Sequence, residues 1–419
     1  MRLAALRALL SNRNYAIYSA GNAVSLTGTW IHGIAFAWLA WEMTRSPFWL
    51  GVVATAGLAP TLFAGLIGGV LADRIDRLRL TIASQVMCFL LSMALFALFA
   101  LNALNIWMLI AFKVLLATFV ALSQPARMAL IPNLVGAGMI GPAVSFGSMV
   151  FNTARFVGPA VAGVVIAYGG VGPAFLINAF SYLVFTAAIL SLKLPEGAMK
   201  PSAQEKNESG FFKHIGGSFS YLRTHQGPLM LFLLMIIVVV FARPISDFLP
   251  ALVTNVFNRG VEGVAILTSS IAAGSLLGGF WMAGRDVKGL TKFVLVGGLI
   301  YSLCIIAFVS VTHFLAGCAL FAGAGFFTAV FATSAQTLVQ TSVEDGVRGR
   351  IMSLWFIITR GGPDLGAFFM GVGGELIGLQ GAFIAGGLLC VMACVWAYTR
   401  RREFAVMLET PPAQAVEAP

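Results

Sequence analysis

Twelve long apolar stretches follow one another along this chain of 419 residues, separated by short polar turns. They run over about 15–41, 48–71, 80–101, 106–124, 142–167, 173–192, 228–251, 263–283, 290–311, 314–338, 351–377 and 381–399, and a helix crossing roughly 30 Å of hydrocarbon needs about 20 such residues. Lipid offers the backbone no hydrogen bonds, so each stretch must satisfy its own, and a helix does that. With 59% apolar and only 10% charged residues, the chain cannot clothe a water-soluble globule of this size. The 46 glycines suit helices that pack closely in a membrane. The reading is an all-α polytopic membrane protein with 12 transmembrane helices.

The net charge of +10 comes from the layout of those helices. Of 26 Lys and Arg, four lie deep within spans, and Arg45 and Arg259 fall in turns on one side. The other twenty fall on the opposite side, a positive-inside bias that sets both termini in the cytoplasm. A nucleic-acid partner is therefore not expected. Arg2, Arg7 and Arg13 precede an apolar stretch too long for a signal-peptide core of about 7–15 residues. Five cysteines, Cys88, Cys304, Cys318, Cys390 and Cys394, all lie within spans without metal spacing. No phosphate-binding Gly-x-x-x-x-Gly-Lys-Ser/Thr loop, nucleophile elbow or zinc pattern occurs. Neither an enzyme, a metal site nor a bound cofactor is expected.

The longest polar segment divides six spans from six. Residues 1–192 form an N-terminal six-helix bundle, 193–226 a cytoplasmic linker, 227–400 a C-terminal six-helix bundle, and 401–419 a cytoplasmic tail expected to be disordered. Phe211, Phe212 and Phe219 interleave bases in the linker, which either lies on the inner membrane surface as an amphipathic helix or is a plain connector. The two bundles echo each other at a separation near 210. Gly68-Gly69 with Ala72-Asp73-Arg74 answers to Gly278-Gly279 with Ala283-Gly284-Arg285-Asp286, and Gly65-x-x-x-Gly69 to Gly274-x-x-x-Gly278. Arg155 with Pro159 answers to Arg360 with Pro363. Such repeats belong to carriers whose halves rock about a midplane site.

Ionised groups inside a bilayer cost roughly 3 kcal/mol each on insertion scales, so each asks for a reason. Here they are Lys113, Arg155, Arg243, Asp247, Arg360 and Asp364, with His32 in the outer half of the first span. Arg243 and Asp247 are four apart, as are Arg360 and Asp364, which places each pair on one α-helical face. Either each is a mutually neutralising pair, or the base holds a carboxylate ready to exchange a proton. Asp247, Asp364 and His32 are thus the candidates for proton coupling, and Lys113, Arg155, Arg243 and Arg360 for the substrate cavity. His32 is otherwise a satisfied core histidine. Pro159 frees the carbonyl of Arg155, giving either a packing kink or a functional bend.

One charged turn, Gly69-Val-Leu-Ala-Asp73-Arg74-Ile-Asp76-Arg77, resembles the signature loop of the major facilitator superfamily, Gly-x-x-x-Asp-Arg-x-Gly-Arg-Arg. It departs at Asp76, where the family has Gly, and at Leu78, where it has a base. Gln124-Pro125-Ala126-Arg127, Asn152-x-x-Arg155-x-x-Gly158-Pro159-x-x-Ala162-Gly163, Phe175-Leu-Ile-Asn178 and Arg348-Gly349-Arg350 narrow the likeness to the enterobactin-exporter-like and third drug:proton antiporter branch. The resemblance implies two pseudo-symmetric six-helix bundles and proton-driven export by a monomer in the bacterial inner membrane. The proton gradient would be its energy source, with no cofactor. It also implies a conformational latch at Gly69, Asp73, Arg74 and Arg77, an antiporter-like bend at Gly158, Pro159 and Gly163, and a cavity lined by the first, fourth, seventh and tenth spans. Four bases against two carboxylates at depth point to a small amphipathic or anionic substrate such as a siderophore, drug or metabolite. A lysolipid flippase of the same fold and a non-transporting membrane scaffold are the alternatives.

Overall fold

The computed structural model describes residues 3–193 and 220–409. Most of the linker, with its three phenylalanines, and the last ten residues of the tail lie outside them. The first eight helices are α1 (Leu3–Ser11), α2 (Arg13–Thr44), α3 (Pro47–Thr55), α4 (Leu58–Ala72), α5 (Arg77–Ala100), α6 (Ile106–Val135), α7 (Ile140–Gly169) and α8 (Val171–Leu190). After the linker come α9 (Gln226–Phe241), α10 (Leu249–Asn255), α11 (Val261–Met282), α12 (Leu290–Ser310), α13 (Phe314–Ser342), α14 (Asp345–Ile377), α15 (Leu379–Thr399) and α16 (Arg401–Glu409). The described residues contain no strand.

Among the described residues, eleven helical segments are long and apolar enough to cross a membrane, with α3–α4 and α9–α10 each counted as one. The stretch expected as the eleventh span is α14, which is 33 residues long. It falls short on composition, not length, because Arg348, Arg350, Arg360, Asp364 and Glu375 punctuate it. Large apolar side chains point outward: Phe280 is 76% exposed, Phe63 63% and Leu190 67%. In water such a surface would aggregate, whereas hydrocarbon accepts it.

Two expectations need correcting. The seventh span does not run as one α-helix over 228–251: α9 ends at Phe241, a 3-10 stretch covers Arg243–Phe248, and α10 begins at Leu249. Pro244 and Pro250 lack the N–H that α-helical bonding needs there, and the tighter turn takes over. The tail is not disordered from residue 401, since Arg401–Glu409 forms α16 with Phe404 and Leu408 buried.

The chain divides into two compact units. The first contains α1, α2, α4–α8, the end of α3 from Val52, and Arg259–Ile266 at the start of α11. The second contains Ser46–Gly51, α9, α10, the rest of α11 from Leu267, and α12–α16. At the end of the first unit that carries α1, Leu9, Tyr15, Tyr18, Leu130, Leu134, Ala143, Phe185 and Ile189 form a buried cluster. The Tyr15 hydroxyl donates to the Ala143 carbonyl at 2.9 Å, and the Asn12 amide to the Leu134 carbonyl at 2.7 Å. In the second unit the Glu375 carboxylate on α14 accepts from the Ser46 hydroxyl at 2.8 Å. Gly51 meets the Ala367 carbonyl and lies near the Gly371 Cα, so the start of α3 is fastened to α14 backbone to backbone.

Candidate transport site

In the first unit the intramembrane bases stand beside aromatic rings. Lys113 on α6 places its ammonium 5.7 Å from the Phe36 ring centre, and its stem passes Gly57, where hydrogen replaces a side chain. Arg155 on α7 lies over Trp30 of α2 at 5.8 Å. A ring face attracts a cation without neutralising it. Gly158, one turn from Arg155, is where α7 closes on the Cβ of Trp30 and the carbonyl of Thr27. Gly163 closes similarly on Ala265. Two glycines of the antiporter-like element therefore mark close approaches, with the buried Pro159 between them.

His32 is 8% exposed and packs against Phe36 and Phe175, with ring centres 4.5 and 5.3 Å away. Lys113 is close enough to act on it electrostatically. Neither ring nitrogen has a hydrogen-bond partner, so His32 is not the satisfied core histidine that the sequence allowed. Sequence candidates His32 and Lys113 are thus brought together on α2 and α6.

In the second unit Arg243 and Asp247 do not share a face by helical stacking. At three residues per turn, a spacing of four carries the second side chain about 120° around the axis. Arg360 and Asp364 do share one, because α14 continues through Pro363 as an α-helix. The two pairs occupy elements that pack together: Gly366 of α14 meets the Val240 carbonyl and the Pro244 ring, and Gly362 meets Val239. Arg243, Asp247 and Asp364 are half-buried, and Arg360 is exposed. Asp247 and Asp364 accordingly both belong to the second unit.

The signature loop explains its own departure. Asp76 is the N-cap of α5, its carboxylate accepting from the backbone of Leu78 at 2.9 Å and Arg79 at 3.0 Å. A glycine could not do this. Asp73 closes α4, and Asp73 and Arg74 are exposed. Arg77 reaches across to the Ala129 carbonyl at 3.4 Å.

One residue escaped the sequence reading. Arg127 was counted among bases of the inner aqueous side, yet it enters the first unit, donates to the side-chain oxygen of Asn22 on α2, and stacks 4.7 Å from the Phe185 ring centre. The clue was its position three residues before a further apolar run, Leu130-Ile131. Among the described residues no cluster of His, Cys, Asp and Glu could hold a metal ion.

A family profile described as a transmembrane secretion effector matches residues 4–414. The chain belongs to this family of major facilitator transporters. Its relatives include the staphyloferrin A transporter of Staphylococcus aureus, 24% identical over 91% of this chain and 95% of that protein. The enterobactin exporter EntS of Citrobacter koseri is 25% identical over 88% and 87%. Macrolide efflux protein A of Streptococcus pyogenes is 22% identical over 91% and 94%. A bacterial homologue of the human lysosomal transporter Spinster, solved in an inward-facing and unoccupied conformation, shares the fold at a TM-score of 0.75 and 16% identity. It aligns over 96% of this chain and 99% of that one. The protein is therefore a multi-pass membrane transporter of the efflux branch, and not an enzyme.

Proposed function

We propose that the protein exports a small anionic or amphipathic molecule in exchange for protons, by alternating access, from the cytoplasmic membrane of a bacterium. The observation that carries this reading is the charge at membrane depth: Lys113, Arg155, Arg243 and Arg360 against Asp247 and Asp364. Charge that is not balanced inside a bilayer is costly, and an anionic group on the substrate offsets it. Lys113, whose ring neighbour leaves its charge intact, supports the same reading. So do the relatives, since one is a named exporter of a siderophore and two others handle a siderophore and macrolides.

In this mechanism Asp247 takes the incoming proton. While ionised it lowers the pull of Arg243 on the substrate; once protonated, it leaves that base to the anion. The substrate anion and the ionised Asp247 carboxylate then compete for one guanidinium, which links proton to substrate without a long pathway. Asp73, exposed at the end of α4, acts as the latch that biases one state over the other. Both termini face the cytoplasm, and the carrier works as a monomer.

The test uses inverted vesicles bearing the full chain, with carboxyfluorescein as the anionic probe and rhodamine 6G as the cationic one. An acid-inside gradient should drive accumulation of the anion, and a protonophore should abolish it. Preference for the cation, or accumulation that ignores the protonophore, overturns the proposal. Cysteine labelling at Gly170 and at Arg402 checks the topology: only the first should be reachable from outside intact cells.

A further inference from the structure

The seam of the first unit where α8 packs against both α2 and α5 is lined with polar groups that the mechanism above does not use. Gln85, Ser92 and Asn178 are fully buried, and His32 nearly so. Six of their atoms have no hydrogen-bond partner in the protein: both ring nitrogens of His32, both amide atoms of Gln85, the Asn178 nitrogen and the Ser92 hydroxyl. These residues fall on facing stripes. Positions 25, 28 and 32 share one face of α2, positions 85, 88 and 92 one face of α5, and positions 175, 178 and 182 one face of α8.

Contacts join the stripes. A side chain at Gly28 would meet Ser181 and come within 3.1 Å of the Asn178 side-chain oxygen. The Thr29 hydroxyl, next to Gly28 on α2, donates to the Ser25 carbonyl at 2.9 Å, and the Ser181 hydroxyl donates to the Asn178 carbonyl at 2.7 Å. Cys88 is within electrostatic reach of Tyr182, and His32 lies against Phe175.

The fold does not require this polarity, because its repeat does without it. In the corresponding seam of the second unit, α9, α12 and α15 present Leu295, Gly298, Cys390 and Cys394, all buried. Ser302 there is satisfied by the Gly298 carbonyl at 2.8 Å. Across those three helices the orphaned side-chain atom is the Thr291 hydroxyl, in the first turn of α12.

We infer that the contacts of α8 with α2 and with α5 hold buried water, bound by the unpartnered atoms of His32 and Asn178 on the one side and of Gln85 and Ser92 on the other. Six unpartnered polar atoms in one seam are incompatible with a stable fold unless something satisfies them, and ordered water is the usual agent. The donor set selects the ligand. A cation wants acceptors alone and an anion wants donors alone, whereas this seam offers both kinds in near balance. The charged groups facing it, Lys113 beside His32 and Arg127 near Tyr182 and Cys88, are both positive and repel a cation. Water in the seam gives the His32 ring hydrogen-bond partners that the protein does not. The inference does not depend on what the carrier transports.

The chain contains its own control. Synchrotron footprinting generates hydroxyl radicals from bound water, and mass spectrometry of the full chain in nanodiscs reads which side chains they oxidise. Cys88 should be oxidised several-fold faster than Cys390 and Cys394, although all three are buried. In the double variant Q85L/N178L, Cys88 should fall to the rate of Cys390. Equal rates for the three cysteines in the unaltered chain overturn the inference, and that comparison needs no variant to fold. A Cys88 rate unchanged in a folded Q85L/N178L protein overturns it as well.

Discussion

The third span, α5, and its counterpart α12 both begin at the aqueous edge of their units, yet their first turns are finished differently. In α5 the cap is local: Asp76 binds the two amides that follow it. In α12 the residue at that position is Gly289, held at a φ of 85° that favours glycine and leaves it no side chain to offer. Glu409, at the end of α16, supplies the cap instead, accepting from Gly289 N–H at 2.7 Å and Thr291 N–H at 2.9 Å. The comparison teaches that the repeat fixes where helices start but not which part of the chain satisfies their ends. Each unit solves that problem with what its own sequence has nearby in space.

Helix packing shows the same divergence. On the second unit's α11, Gly274 and Gly278 press against the Ala322 and Phe326 carbonyls of α13, and Gly325 of α13 presses back on the Ile271 carbonyl. In the first unit only Gly68 of the corresponding turns meets backbone, at Leu122, while Gly65 and Gly69 have open space where a Cβ would go. The working register between the halves is therefore 68 with 278 and the buried Ala64 with Gly274, one residue away from the pairing of Gly65 with Gly274 that the glycine spacing suggested. Gly274→Val should cost the most of any change considered, more than about 3 kcal/mol, because a side chain there displaces backbone. Gly65→Val should leave yield and thermal midpoint near those of the parent. Size-exclusion profiles and melting curves of the two variants decide between the registers, and equal damage from both removes the distinction.

The units differ most in charge. The first holds Lys113, Arg155 and Arg127, with Glu42 and Glu262 near the ends of their helices; the second holds Asp247 and Asp364 well inside its own. If coupling lives in the second unit and anion capture in the first, two substitutions separate them. Asp247→Asn should abolish gradient-driven accumulation, a loss of at least about 100-fold, while downhill exchange survives, since a group that cannot ionise cannot release the proton. Lys113→Ala should instead raise the half-saturating concentration of an anionic probe about tenfold, the weight of one ion contact near 1.4 kcal/mol, and spare coupling. An Asp247→Asn carrier that still concentrates its probe breaks the division.

Much of this was legible in the sequence because a bilayer imposes long, simple signals. Span positions, and the intramembrane charges other than Arg127, follow from apolar length. Local chemistry was legible where its partners are close in sequence, as with Arg360 and Asp364 on a continuous helix. What was not legible depended on distant partners. The prolines at 244 and 250 turned an assumed α-helix into 3-10 geometry and parted Arg243 from Asp247 around the axis. Arg127 looked like an inner-surface base until α2 supplied Asn22 and α8 supplied Phe185. The seam of unsatisfied polar atoms in the first unit is invisible in a list of spans, because Gln85 and Asn178 are each unremarked alone.

Asp73 and Gly69 test whether the signature loop is a switch or only a turn. Asp73 is exposed and Gly69 faces open space, so neither substitution should disturb the fold. Asp73→Asn should slow transport several-fold and leave probe affinity within about twofold, since it shifts populations without touching the substrate site. Wild-type turnover in that variant contradicts the latch.

The smallest effects return to the two caps. Asp76→Ala should destabilise the protein by about 1 kcal/mol, whereas Asp76→Gly, which restores the family residue, should cost only a few tenths. Glu409→Ala should cost about as much as Asp76→Ala, because a carboxylate bonded to two helix amides is lost in each case. The two losses differ in what else they release. Removing Asp76 leaves the ends of α4 and α5 joined by a short turn. Removing Glu409 also loosens α16, which otherwise holds Leu408 buried and lies against Gly227 at the start of α9. Hydrogen exchange should therefore show Asp76→Ala opening only the first turn of α5, and Glu409→Ala opening α16 together with the first turns of α9 and α12. If Glu409→Ala affects α12 alone, the tail helix is held by its apolar face, and the remote cap is an ornament of the packing rather than its fastening.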